Sequence, residues 1–81
     1  MKKTIHSKEY RKLISLLREK RENLDITQLK LASIIDTDQT FISKIENSER
    51  RIDVIELRTI CKALKISFKD FIEELEQNLE K

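Results

Sequence analysis

The chain contains no glycine, no proline and no tryptophan, and its 81 residues include one cysteine, one histidine and one tyrosine. Each absence excludes something. Strand-and-hairpin folds draw on glycine for their tight turns, so its lack favours an all-α domain whose turns are built from Asp, Asn, Ser and Lys. It also excludes a glycine-rich loop cradling phosphates. A lone Cys61 cannot close an intrachain disulfide, which fits a reducing compartment. With His6 as the single histidine, set close to the terminus, neither a Cys/His nor a Ser/His/Asp catalytic set can be assembled, and nothing pairs with it as a metal site. An enzyme is not expected, nor is a cofactor. No stretch of about 18 apolar residues occurs, so no transmembrane helix is expected, and no apolar core of a signal peptide follows the basic start "MKKTIHSKEY". These features point to a soluble cytoplasmic protein.

Charge is abundant but nearly balanced, with 17 Lys and Arg against 15 Asp and Glu, a net +2. Whole-molecule charge is therefore a poor argument for a polyanionic partner. Its distribution says more. Residues 1–21 carry Lys2, Lys3, Lys8, Arg11, Lys12, Arg18, Lys20 and Arg21 against Glu9 and Glu19, whereas Asp70, Glu73, Glu74, Glu76 and Glu80 dominate the end. A basic pole opposite an acidic one suits a molecule that meets a polyanion on one side, although solvated helix faces would produce a similar pattern. A chain this short buries only about 60–65% of its unfolded surface, so dimerisation would add useful stability.

Hydrophobic spacing resolves five helical segments. The first runs from about Lys8 to Asn23, with Ser7 as N-cap, Leu24 closing it, and Tyr10, Leu13, Ile14 and Leu17 on one face. The second, "TQLKLASII", starts at the cap Thr27 and turns Leu31, Ala32 and Ile35 inward. The third, Gln39 to Asn47, is capped by Asp38. The fourth, 53–64, opens with Asp53 and Glu56 at capping-box spacing and presents Val54, Leu57, Ile60, Cys61 and Leu64 to the core. The fifth, about 67–79, starts at Ser67 and carries Phe68, Phe71, Ile72, Leu75 and Leu79. Residues 1–7 form a basic tail, and 8–81 form one domain.

The second and third segments hold the functional signal. Ala32 supplies the small side chain needed where two helices cross, Asp36 and Thr37 make a short turn, and Ile42 and Ile45 lock the third helix inward. This is the grammar of a helix-turn-helix, here spanning about 27–47. The opposite face of the third helix is left free, and it bears Gln39, Thr40, Ser43, Lys44 and Asn47, short hydrogen-bonding side chains followed by Arg50 and Arg51.

Residues 10–75 resemble the five-helix, lambda-repressor-like DNA-binding domain of the Xre/Cro–CI family of bacterial and phage regulators. The resemblance is carried by "LLREKRENLDITQLKLA", "TFISKIENSERR" and "DVIELRTICKALKISFKDFIEEL", in that order. It implies that the third helix reads bases through Gln39, Thr40, Ser43 and Lys44. The chemistry agrees: Gln39 can pair bidentately with adenine N6/N7, Lys44 can donate to guanine O6/N7, and the two hydroxyls suit several base edges. Gln28, at a helix start, and Asn47, Arg50 and Arg51, just past the reading helix, are expected to meet phosphates. Phe41 is expected either to touch DNA or to pack in the core. Arg21 and Glu46 are expected to brace the first helix against the third. The family usually places glycine where Asp36 and Lys65 stand, which makes both positive-φ positions.

The stripe on the last helix exceeds what one small domain buries. Phe68 and Phe71 are expected to cap the core, leaving Ile66, Ile72, Leu75 and Leu79 as a candidate dimer interface. The expectation is a sequence-specific, double-stranded DNA-binding transcriptional regulator, acting as a homodimeric repressor on a palindromic operator. The rival is a protein-interaction module such as the antitoxin of a toxin–antitoxin pair.

Overall fold

The computed structural model describes residues 7–81, so Lys2, Lys3 and His6 of the expected tail lie outside the described residues. Five helices follow in order: α1 (Lys8–Asn23), α2 (Gln28–Ile34), α3 (Gln39–Glu46), α4 (Val54–Ala63) and α5 (Phe68–Leu79), with no strand among the described residues.

Every helix begins on the side chain its sequence supplies. The oxygens of Ser7, Thr27, Asp38, Asp53 and Ser67 accept from the backbone N–H three residues on, at 3.0, 3.0, 2.9, 2.7 and 3.2 Å. Each such cap is worth about 1 kcal/mol. At α4 the box is reciprocal, because the Asp53 N–H also donates to Glu56 Oε1 at 3.0 Å.

The helix ends are less conventional. After the C-caps Leu24, Ile35, Asn47 and Leu64 come Asp25, Asp36, Ser48 and Lys65, all left-handed with φ of 55°, 60°, 58° and 58°. In each case the left-handed residue's N–H reaches back to the carbonyl three residues earlier, and the next N–H reaches back five. After α2, for example, Asp36 N–H bonds Ser33 at 3.2 Å and Thr37 N–H bonds Ala32 at 2.8 Å. This closure satisfies carbonyls that a helix end would otherwise orphan, and glycine is its usual occupant because a Cβ crowds the left-handed region. Asp36 and Lys65 were expected at such positions; Asp25 and Ser48 are two more.

The core draws on all five helices. Ile42 and Ile45 of α3 are 1% and 0% exposed, and Ala32 of α2 is 1% exposed where a larger side chain would have no room. α2 packs on α3, and α5 packs on both α1 and α4. Phe71 is buried, and Phe68 packs against the cluster, as the stripe predicted. Three details differ from the periodicity. Val54 is exposed, not core: the inward place ahead of α4 is taken by Ile52 from the preceding loop, so the first turn projects Val54 and Ile55 outward. Leu16, off the expected stripe of α1, is buried. α3 ends at Glu46, with Asn47 serving as its C-cap.

Candidate nucleic-acid interface

α3 is an eight-residue helix with two chemically distinct sides. Ile42, Ile45 and Glu46 are buried; Gln39, Thr40 and Lys44 are exposed, and Ser43 is half-buried. Because its apolar side chains are seated in the core, the helix cannot roll about its axis without opening a cavity there.

A buried carboxylate ties α3 to its neighbours. Glu46 receives Arg21 Nε at 2.7 Å on Oε2 and Arg21 Nη2 at 2.9 Å on Oε1, with both side chains under one-tenth exposed. The hydrogen bond to Glu46 is the main reason the Arg21 guanidinium is held above its ordinary pKa, despite the opposing effect of burial. Arg21 also donates to the Ile26 carbonyl at 2.6 Å. α1 is thus pinned to α3 and to the turn before α2, the bracing expected of Arg21 and Glu46. Arg18 approaches Glu46 at 3.9 Å, but half its side chain faces water, where such a pair adds little.

Gln28 occupies a position that residue spacing did not disclose. Its Nε2 donates to Glu46 Oε1 at 3.0 Å, and its Oε1 accepts from Gln39 Nε2 at 3.5 Å. A chain of contacts therefore runs from the buried ion pair through α2 to the first exposed residue of α3. Asn47 Nδ2 donates to Ser43 Oγ at 3.4 Å, linking the C-cap to the same face.

The two arginines after α3 differ. Arg50 places Nη1 and Nη2 on Oε1 and Oε2 of Glu56 at 3.1 and 3.0 Å, lies 4.5 Å from the centre of the Phe41 ring, and donates to the Arg51 carbonyl at 3.0 Å. The Glu56 carboxyl is held below its usual range, chiefly by that bond to Arg50. Arg51 is exposed, and its side chain has no hydrogen bond or ion pair among the described residues. Phe41 is half-buried against the core, with Arg50 over its ring. Of the expected interface residues, Ile66 and Leu75 pack against the chain's own core, Leu79 is half-buried, and Ile72 is 39% exposed. Cys61 is fully buried, and burial pushes its thiol up to about 11.

A helix-turn-helix family model matches residues 17–71. The chain belongs to the Xre-type helix-turn-helix family. Among curated family proteins, the control protein C.MunI of Mycoplasma sp. is 31% identical over 58 residues, 72% of this chain and 78% of that protein. The fold of an XRE-family like protein from Pseudomonas syringae pv. tomato str. DC3000 superposes with a TM-score of 0.85 at 40% identity, covering 91% of this chain and 90% of that one. The restriction–modification controller protein C.Esp1396I, solved as a tetramer in complex with its natural 35-base-pair operator, gives 0.83 at 30% identity, covering 94% of this chain and all of that one. No helix of the described residues is long and apolar enough to cross a membrane.

Proposed function

We propose that this protein is a sequence-specific, double-stranded DNA-binding transcriptional regulator of the restriction–modification controller kind, acting in the cytoplasm as a homodimeric repressor on a roughly palindromic operator. The observation that carries the reading is the two-sidedness of α3: Ile42 and Ile45 are sealed in the core while Gln39, Thr40 and Lys44 stand in solvent. A helix so held can enter a major groove with its polar edge against the bases. Gln39 reads adenine and Lys44 reads guanine, with Thr40 and Ser43 completing the edge. Asn47 and Arg51 bind phosphate, and Gln28, whose amide keeps one N–H beyond its bond to Glu46, joins them. The family relatives that are controllers favour this biological setting over the antitoxin reading.

A selection from random duplex DNA tests the proposal. The expected product is a two-fold symmetric consensus whose half-sites lie about one helical turn apart, bound by a dimer in sedimentation. A well-folded protein that enriches no sequence would overturn it and favour a partner-binding role.

A further inference from the structure

The loop joining α3 to α4 carries adjacent arginines in opposite circumstances. Arg51 is free in solvent, whereas Arg50 is held by Glu56, by the Arg51 carbonyl and over the Phe41 ring. Both terminal nitrogens face the two oxygens of Glu56, a parallel fork that a phosphate could take only by evicting a carboxylate of the same shape. The guanidinium lies over Phe41 at 4.5 Å. Its backbone carbonyl accepts from the Tyr10 hydroxyl at 3.3 Å, and that hydroxyl oxygen accepts from the Ile52 N–H at 3.0 Å. Tyr10 is 9% exposed, so this clamp is part of the core. Glu56 meanwhile holds the Asp53 N–H, so one carboxylate fixes both the loop and the start of α4.

We propose that Arg50 is a positioning residue: anchored on Glu56, Phe41 and Tyr10, it sets the course of the α3–α4 loop so that Arg51 is presented to the DNA backbone, and it does not itself bind phosphate. This rests on the DNA-binding reading above. The bond from Arg50 Nη1 to the Arg51 carbonyl transmits the setting, because it fixes the peptide from which the Arg51 side chain leaves. Arginine is required for this, since a lysine ammonium can neither fork onto both oxygens nor lie flat on the ring.

The test measures affinity for the selected duplex against salt concentration, at a temperature where circular dichroism shows every variant folded. Glu56→Gln keeps an oxygen for the Asp53 N–H and removes the charge that grips Arg50. Were Arg50 a phosphate ligand restrained by Glu56, this change would free it, remove a negative charge and tighten binding. The positioning role predicts the opposite sign, a weakening of about threefold or more. Arg51→Ala should reduce the salt slope by about one unit in the wild-type background. In an Arg50→Ala or Arg50→Lys background the same change should reduce it by much less, because Arg51 is no longer held outward. A purely structural Arg50 would leave the two reductions equal. Tighter binding by Glu56→Gln, or equal reductions, overturns the inference while leaving the DNA-binding reading intact; a folded wild-type protein that binds no duplex overturns both.

Discussion

Replacing Glu46 by alanine should strongly damage the support of the proposed reading surface, and the size of the effect can be worked out from the contacts. The variant leaves the Arg21 guanidinium, 7% exposed, with the Ile26 carbonyl as its remaining strong acceptor. Removing one member of a buried ion pair costs about 3–5 kcal/mol, because the other charge stays desolvated without compensation. A domain of this length has a total stability of roughly 4–12 kcal/mol. The loss is therefore a large fraction of the whole, and at about 4–8 °C per kcal/mol the melting temperature should fall by on the order of 20 °C. Thermal and urea unfolding followed by circular dichroism measure it. The companion double variant Arg21→Met with Glu46→Leu should recover most of the loss, since the stranded charge goes with its partner. Yet it should not recover operator affinity, because Gln28 loses the carboxylate that orients it beneath Gln39. If Glu46→Ala unfolds within about 1 kcal/mol of the parent, or if the double variant binds operator normally, the ion pair is not the support described here.

Five other substitutions give separable readouts. Lys65→Gly removes a Cβ from a left-handed site and should raise stability by about 0.5–1 kcal/mol after the greater freedom of glycine in the unfolded chain is counted; a lower melting temperature would contradict this. Gln39→Ala or Lys44→Ala should weaken the cognate site by about 1–3 kcal/mol and relax preference at one base position, whereas uniform weakening over all sequences would remove them as readers. Arg51→Ala should weaken all duplexes alike with the shallower salt dependence stated above; an unchanged dependence excludes it as a phosphate ligand. Ala32→Leu should destabilise by about 1–3 kcal/mol through overpacking, and a variant that melts like the parent would misplace the helix crossing.

Much of this architecture was legible because local signals agree with one another. Ser7, Thr27, Asp38, Asp53 and Ser67 each precede an apolar face, and all cap their helices. Ile42 and Ile45 were readable as the inner side of α3 because helical spacing fixes direction once a boundary is known. Val54 misled for the same reason: periodicity knows the angle around a helix but not whether the core extends to its first turn, and Ile52, in a loop without a period, had already filled that place. The Arg50–Glu56 fork and the Tyr10 clamp join residues whose separation along the chain carries no periodic signal. Glu56 was visible only as half of a capping box, and its second duty depends on how the loop folds back. Gln28 likewise shows in the sequence only its place at a helix start, while the atom that claims its amide belongs to another helix.

The four left-handed joints bear on how long the molecule survives in the cell. Each holds a side chain where glycine would sit more easily, at on the order of 1 kcal/mol apiece and less at the two aspartates. A domain handicapped in this way has a larger share of its chains transiently open, and open chains are what proteases remove. Operator binding and self-association of the kind proposed above would withdraw molecules from that pool by mass action. Copies in excess of their sites would then be cleared faster than copies in use, so turnover itself would track occupancy, and filling those joints with glycine would loosen that link while leaving the reading edge untouched.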